Sequence, residues 1–528
     1  MAPKVLISDA LSETAVQIFR DNGLDVTFEP GLGKDKEKLA QMIPDFDGLA
    51  IRSATKATDK LIASAKNLKV IGRAGIGVDN VDLKAATANG VIVMNTPFGN
   101  SITTAEHAIA MMMSIARRIP EANASTHQGK WEKSRFLGAE LFNKTLGVVG
   151  CGNIGAVVAD RAQGLKMKVV AFDPFLTPEH ALEIGVEKLE LDELLARADF
   201  ITLHTPLTDK TKNIISADAL AKCKKSVRII NCARGGLIDE AALAQAIESG
   251  QVAGAALDVF SEEPAKENVL FGMENVVVTP HLGASTNEAQ ENVAIQVAEQ
   301  MSDYLLNGAI TNAINFPSIS AEEAPRLTPW VSLAENLGSF AGQLTESTIK
   351  QVTIEYCGDV AKLNVKPMTA AAVAGVMRTS TPEVNMVSAP AIAEQRGIVI
   401  QETTKSAGGA YESYIRLTVT TDEYERSIAG TVFSGGRSRI IQIRDIDMEF
   451  ELSKDMLFVR NEDRAGFVGD FGSVMGDNKV NIATFNLGRT EPGGDAICVV
   501  SLDAPISDAV LEKVESIAHV QRAKRLQF

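Results

Sequence analysis

Short runs of aliphatic and β-branched residues, bounded by glycine, proline or polar positions, recur along the first half of the chain and alternate with stretches of helical periodicity. PKVLISDA, VTFEP, GLAIRS, KVIGRAG and VIVMNT predict strands of a first α/β lobe, built before residue 99. LGVVG, MKVVAFDP, RIINCARGG, ALDVFSEEP and VVVTPHLGAS predict strands of a second. Two longer apolar segments separate these groups. SITTAEHAIAMMMSIARRI carries Thr103 and Glu106 at capping-box spacing, and STNEAQENVAIQVAEQMSDYLLNG repeats that spacing with Ser285 and Glu288 before a stop at Gly308. If both helices bridge the lobes, the chain leaves the first lobe near residue 99 and returns near 284. The Met111–Met113 run then fits plain core or an interface.

Beyond residue 317 the pattern changes, with Pro317, Pro325 and Pro329 around a polar stretch that marks a boundary. From there to about 452 the pattern predicts an amphipathic helix at WVSLAENLGSFAGQL, a strand at QVTIEYCGD, two helical pieces, and strands at YIRLTVTT, IAGTVFS and RIIQI. Arg437, Arg439 and Arg444 form a local basic cluster there, read as a solvated strand face before an anion site. From Asp455 the order is β-α-β-β-α-β, which gives a ferredoxin-like sheet. The expected domains are therefore 1-99 with 284-317, then 100-283, 318-452 and 453-528.

Composition narrows the function more than the fold. A chain of 528 residues is too long for one core and calls for about three or four domains. A net charge of −15 argues against nonspecific nucleic-acid binding, which needs clustered Lys and Arg. Cys151, Cys223, Cys232, Cys357 and Cys498 show neither paired nor metal-ligand spacing, so no metal is expected and a reduced cytoplasmic setting follows most simply. MAPKVLISDALSE has no basic-then-apolar signal, and no stretch reaches the ~18 apolar residues of a membrane span.

The chemistry begins at KTLGVVGCGNIG, where Gly150, Gly152 and Gly155 fit G-x-G-x-x-G between a strand and a helix. Such glycines give a tight turn, close backbone approach to a pyrophosphate, and helix-on-strand packing. An ordinary βα turn is the competing reading. Asp173 ends the next strand, where a ribose-binding carboxylate belongs, and points to NAD because a carboxylate repels a 2′-phosphate.

Downstream, Arg234, Glu263 and His281 each follow a hydrophobic strand, and in a doubly wound sheet strand ends line the ligand crevice. Oxidising an alcohol beside a carboxylate needs a base, a cation and a hydride acceptor. His281 suits the first role, Glu263 would orient its ring, and Arg234 offers a planar fork to a carboxylate. Each residue alone is as readily a turn, a solvated loop or a surface charge. Their joint occurrence after a dinucleotide unit raises all three.

GCGNIG, HTPLTDKTKNII, NCARGG, ALDVFSEEP and PHLGAST resemble the D-isomer-specific 2-hydroxyacid dehydrogenases, and the likeness extends upstream through IRSATK, GRAGIGVDNVD and MNTPFGNSITTAEHAIA. It covers essentially the whole chain and is greatest for the long-type members. The resemblance implies an α/β fold in which a Rossmann-type cofactor domain is inserted in a flavodoxin-like substrate domain. An α+β intervening domain, like an allosteric substrate-binding one, and a ferredoxin-like ACT domain follow. It implies NAD-dependent oxidation of 3-phospho-D-glycerate to 3-phosphohydroxypyruvate, the first step of L-serine biosynthesis, in a homodimer or homotetramer, and in some relatives reduction of 2-oxoglutarate.

The same resemblance makes His281 the acid/base, Glu263 its partner and Arg234 the substrate ligand. Cofactor contacts would fall on Ile76, Gly150, Gly152, Asn153, Ile154, Gly155, Asp173, Thr205, Cys232, Ala233, Arg234, Asp258, His281, Gly283 and Ala284. Donors for the substrate's phosphate and carboxylate stand at strand ends and a helix start: Arg52, Ser53, Lys56, Arg73, Gly75, Asn100 and Ser101, with Arg234 and His281 opposite. Lys133 and Arg135 could reach a neighbouring subunit's phosphate. In the tail, Asp463 and Asn481 match positions that hold L-serine in responsive relatives, although Ala465 replaces the usual proline of that loop. Two other classes share parts of this pattern. A glyoxylate or hydroxypyruvate reductase carries the same site without the two C-terminal additions, and an NAD-sensing corepressor carries the fold without turnover.

Overall fold

The computed structural model describes residues 2–320, 322–406 and 410–528. The chain opens with a parallel sheet of β1 (Lys4–Ile7), β2 (Asp25–Phe28), β3 (Gly48–Ile51), β4 (Val70–Arg73) and β5 (Ile92–Met94), in the flavodoxin-like order β2-β1-β3-β4-β5. Every residue of β3 and β5 is buried, as in a parallel sheet covered on both faces.

A second parallel sheet contains β6 (Thr145–Val149), β7 (Lys168–Phe172), β8 (Glu187–Lys188), β9 (Phe200–Leu203), β10 (Arg228–Asn231), β11 (Gly254–Leu257) and β12 (Val276–Val278). Its order is β12-β11-β10-β9-β6-β7-β8. The chain runs outward through β7 and β8, then returns to β9 and runs outward on the other side. The crevice at that reversal, above the carboxyl ends of β6 and β9, is where such sheets bind ligands.

The Rossmann-type sheet is an insertion in the first lobe. The helix Ser101–Arg117 leaves that lobe and buries Ala105, Ala108, Met111, Met112 and Ile115 against Leu146, Val148 and Ile230 of the second sheet. The helix Asn287–Asn307 returns and buries Ala294, Val297 and Met301 against Val5, Ile7 and Val70 of the first. Met111 and Met112 are core, whereas Met113 is 36% exposed.

Both helix starts differ from the capping-box expectation. The first helix already begins at Ser101, with Asn100 O accepting from Thr104 N at 3.0 Å, so Thr103 and Glu106 lie inside it. The second is capped by Thr286, whose hydroxyl accepts from Ala289 N at 3.1 Å; Ser285 N is committed to Leu282 O in the turn after His281. Gly308 does end it, at φ 73°.

The next unit is a six-stranded sheet: β13 (Ile349–Gly358), β14 (Val399–Lys405), β15 (Ser413–Thr421), β16 (Glu425–Val432), β17 (Ser438–Ile443) and β18 (Ile446–Phe450), in order β14-β13-β15-β16-β17-β18. Its first helix spans Ala324–Leu344 and includes Pro325 and Pro329, so these prolines do not stand in a boundary loop. Pro325 fits because first-turn N–H groups need no helical partner. The edge strand β14 and the closing strand β18 were not legible in the sequence, one being largely polar and the other too short.

The tail forms β19 (Asp455–Glu462), β20 (Ile482–Arg489), β21 (Asp495–Leu502) and β22 (Val520–Gln527), in order β20-β21-β19-β22, with helices Phe467–Asp477 and Asp508–Glu515. Phe340 packs edge-on against Phe458 at 6.2 Å between centroids, so the last two units share an apolar seam. Among the described residues no helix is long and apolar enough to cross a membrane.

Candidate active site

At the end of β6 the chain turns sharply at Gly150, where φ is 90° and a Cβ would lie 2.7 Å from His204 O. The helix Asn153–Gly164 then starts so close that a Cβ on Gly155 would lie 2.1 Å from Gly150 O. A Cβ on Gly152 would meet nothing within 4 Å, which leaves its backbone open to a ligand. Asn153 and Ile154 form the first turn of that helix. Asp173, just past β7, accepts from Cys151 N and from Phe175 N, both at 2.8 Å. Its carboxylate is thereby fixed beside the glycine turn, as a group recognising ribose hydroxyls must be. This cradle fits a dinucleotide.

His281 and Glu263 come together. His281 Nδ1 lies 2.6 Å from Glu263 Oε2, and Glu263 Oε1 accepts from Phe260 N at 3.0 Å. Burial pushes the Glu263 carboxyl up, but the His281 hydrogen bond and the Phe260 N–H outweigh it and hold the carboxyl below its usual value. The histidine has φ 57°, an uncommon backbone state for a residue with a side chain.

Asp258 maintains that conformation. Fully buried after β11, its carboxylate accepts from Leu282 N at 2.7 Å, Gly283 N at 2.8 Å and Thr279 Oγ1 at 2.6 Å, while its backbone carbonyl takes His281 N at 2.8 Å. His107 Nε2 stands 3.2 Å from the same carboxylate, and Thr104 Oγ1 donates to Gly283 O at 2.9 Å. The helix Ser101–Arg117 thus supports the histidine loop from behind.

Arg234 follows β10 and faces the other lobe, with Nε 3.0 Å from Asp79 Oδ2. A Cβ on Gly77 would lie 1.8 Å from Arg234 Nη2, and one on Gly75 would lie 1.5 Å from Arg73 Nη1. Two guanidinium groups therefore lie against the loop that holds Ile76. Burial first, then the Arg234 charge, with Arg52 adding, lowers the Arg73 pKa to about 10. Three cations converge where an anionic substrate would sit.

The other donors differ in availability. Arg52 Nη1 contacts Ala10 O at 3.2 Å and Gln290 Oε1 at 3.5 Å, and Ser53 is exposed beside it. Asp9 Oδ2 accepts from the backbone N–H of both Arg52 and Thr55, which shapes this loop. Asn100 Oδ1 is buried and unpartnered among the described residues, whereas the Ser101 hydroxyl is occupied by Pro97 O at 2.9 Å. Gly75 N donates to Thr96 Oγ1 at 2.6 Å. Thr205, Cys232 and Ala233 follow the ends of β9 and β10, and Gly283 and Ala284 follow His281.

Sequence reasoning missed Asp9, Asp79, His107 and Thr279, because each acts through a partner distant in the chain. Arg135 is engaged by Glu132 at 3.1 Å and Glu274 at 2.7 Å within its own chain, in ion pairs open to solvent. In the tail, Asp463 Oδ2 accepts from Arg489 Nη1 at 2.6 Å and Gly493 N at 3.0 Å, and Asn481 Nδ2 donates to Asp503 Oδ2 at 2.6 Å.

An inserted Rossmann-type sheet whose strand ends carry an arginine and a glutamate–histidine pair defines an NAD-dependent dehydrogenase of 2-hydroxy acids. Residues 109–283 match the model of the D-isomer specific 2-hydroxyacid dehydrogenase NAD binding domain. Residues 326–444 match the D-3-phosphoglycerate dehydrogenase intervening domain, and 456–519 the ACT domain. D-3-phosphoglycerate dehydrogenase of Synechocystis sp. is 44% identical over 98% of this chain and 94% of its own length. The Bacillus subtilis protein of that name is 40% identical over 99% of each. Among solved structures, a glyoxylate reductase from Paecilomyes thermophila is 30% identical with a TM-score of 0.56, covering 59% of this chain and 98% of its own. The TT0316 protein from Thermus thermophilus gives 34% and 0.54, covering 59% and 99%. The chain belongs to the D-3-phosphoglycerate dehydrogenase family, in its long form with intervening and ACT domains.

Proposed function

We propose that the chain oxidises 3-phospho-D-glycerate to 3-phosphohydroxypyruvate at this cleft, with NAD as cofactor, as the entry to L-serine biosynthesis. When bound, NAD supplies the acceptor for the hydride leaving the carbinol carbon. His281 takes the hydroxyl proton on Nε2, since Nδ1 is held by Glu263. Glu263 fixes the ring and favours the imidazolium that results. Arg234 binds the carboxylate, and Arg73 with Arg52 the phosphate. Residues 1-99 with 284-317 form the substrate-binding part and 100-283 the cofactor part.

The carrying observation is the 2.6 Å contact of His281 with Glu263 at the end of a dinucleotide sheet. Initial rates of NADH consumption with phosphohydroxypyruvate, glyoxylate, pyruvate and 2-oxoglutarate test it. Phosphohydroxypyruvate should be preferred in kcat/KM, with 2-oxoglutarate a minor substrate. Equal preference for glyoxylate would turn the reading to a simple reductase.

Assembly and control belong to the same reading. Ile119, Trp131, Leu137 and Phe142 are 52, 86, 81 and 60% exposed around the end of the crossing helix. Such an apolar patch favours a second copy of the chain, hence a homodimer or homotetramer. L-serine as an effector would have to displace the internal contacts of Asp463 and Asn481. A cytoplasmic location fits five free, buried cysteines.

A further inference from the structure

The loop after β3 that carries Arg52 and Ser53 is gripped by two side chains from elsewhere in the first lobe. Asp9, just past β1, is 2% exposed. Its Oδ2 accepts from Arg52 N at 2.7 Å and from Thr55 N at 3.1 Å, and its Oδ1 accepts from Thr55 Oγ1 at 2.7 Å. Asn80, in the loop after β4, donates its Nδ2 to Arg52 O and to Thr55 O, both at 2.7 Å. The backbone N–H and C=O groups of Arg52 and Thr55 are thereby all engaged by Asp9 and Asn80.

The grip on the Asp9 side is tight. Thr55 and Ser8 are fully buried, and since Thr55 gives its hydroxyl proton to Asp9, Ser8 Oγ donates to Thr55 Oγ1 at 2.8 Å. Gly33 N donates to Ser8 O at 2.9 Å. A Cβ on Gly33 would lie 2.1 Å from Thr55 Oγ1 and 2.3 Å from Asp9 Oδ1, so only glycine lets the turn Leu32–Lys34 close over the carboxylate. Backbone N–H groups held by a buried carboxylate are held firmly. The Arg52 side chain has only long contacts, 3.2 Å to Ala10 O and 3.5 Å to Gln290 Oε1, so its place is set by the backbone that carries it. Between the two gripped residues, Ser53 and Ala54 are exposed, and among the described residues their N–H groups have no partner. A guanidinium and two amide donors therefore stand on one fixed frame. Burial foremost lowers the Arg73 pKa to about 10, and the Asp79 and Asp9 carboxylates oppose it, so Asp9 also favours the charged form of the second arginine.

We propose that Asp9 and Asn80 are positioning residues that set the preference for a phosphorylated substrate, by holding the loop from Arg52 to Thr55 in the shape that receives the phosphate. That role rests on the phosphate contacts proposed above for Arg52 and Arg73. Asp9 is buried and Asn80 commits its Nδ2 to the loop, so both act through it rather than on the substrate. Displacing a binding group by about 1 Å can cost on the order of a hundredfold, and a group is only as well placed as the residues that support it. Arg234 holds the substrate carboxylate from the other lobe, and the dinucleotide cradle lies at the end of β6. A slack Arg52 loop should therefore be felt by the phosphate, and hardly by the carboxylate or the cofactor.

The test is steady-state reduction of 3-phosphohydroxypyruvate and of hydroxypyruvate, which lacks the phosphate, by the full chain, with NADH binding followed by fluorescence. Where hydroxypyruvate turns over too slowly, its inhibition constant takes the place of kcat/KM. In Asp9→Ala and in Asn80→Ala the preference for the phosphorylated substrate should fall at least tenfold, through a higher KM for that substrate alone. The constants for hydroxypyruvate and the NADH affinity should shift less than threefold. Asn80→Ala alters no charge, so a shared phenotype assigns the effect to loop position and not to the lost carboxylate. Asp9→Asn keeps one acceptor oxygen and should recover part of the preference; with Asn80→Ala it carries the test should Asp9→Ala fail to fold. A preference unchanged in the variants, or an equal loss on both substrates, would overturn the proposal. A parent enzyme that does not prefer the phosphorylated substrate would overturn the phosphate reading of the cleft itself, and the proposal with it.

Discussion

Arg234 Nε and Asp79 Oδ2, 3.0 Å apart, join the end of β10 to the loop after β4 and so span the cleft between two sheets. Asp79 is 71% exposed, and a pair so open to water is worth only about 0.2–1 kcal/mol. A substrate carboxylate can therefore compete for the arginine. Asp79→Asn should change kcat/KM by less than about fivefold, mainly through KM. Steady-state kinetics on 3-phosphoglycerate decide this; a loss of about a hundredfold in kcat would give Asp79 a larger role.

Arg234→Lys removes the planar fork while keeping the charge. We expect kcat/KM to fall about a hundredfold, near 2.7 kcal/mol of transition-state binding, with NAD affinity little changed. Parallel measurement of substrate kinetics and NADH binding by fluorescence separates the two effects.

His281→Gln should lower kcat by about 10²–10⁴-fold, the usual worth of a general acid/base. Glu263→Gln should cost less, about tenfold in kcat with KM little changed, because the ring that Glu263 Oε2 holds at 2.6 Å loses its charged acceptor. Steady-state kinetics of parent and both variants provide the check, and a Glu263→Gln enzyme as fast as the parent would sink the positioning role given to Glu263.

Asp258 links the histidine loop to stability in acid. Burial pushes its carboxyl up, but His107, the Thr279 hydroxyl and the Leu282 N–H bring it below the ordinary 3.8. Because the folded value is the lower one, its contribution is present above the unfolded value and is lost as pH falls through the folded one. Asp258→Asn should therefore be less stable than the parent at pH 7, with the gap narrowing below about pH 4. Urea unfolding at pH 7, 4 and 3 measures that gap.

Asp173→Ala should raise KM for NAD about tenfold and narrow the preference over NADP, since the carboxylate both accepts from the ribose and repels a 2′-phosphate. Paired kinetics with the two cofactors test it.

Much of this molecule was determined by local pattern. The predicted strands of both lobes, the glycine turn, Asp173 and the order of the tail follow from short-range hydrophobicity and turn chemistry, which act within a few residues. Arg234, Glu263 and His281 were legible for the same reason, each sitting just beyond a strand. The helix caps shifted because Ser285 was claimed by a turn and Thr103 by a helix already begun at Ser101. Tertiary structure alone decided which distant residues serve the site: Asp79 reaching Arg234 from the other lobe, His107 and Thr279 holding Asp258, and Asp9 shaping the Arg52 loop. It also took Arg444 from its sequence neighbour Arg439 and set it with Arg426, Arg460 and Arg522 around one cavity. Hydrophobic period is a property of neighbours in the chain. The partners of a charge are fixed only when packing brings separate strands to one place, which no local pattern encodes.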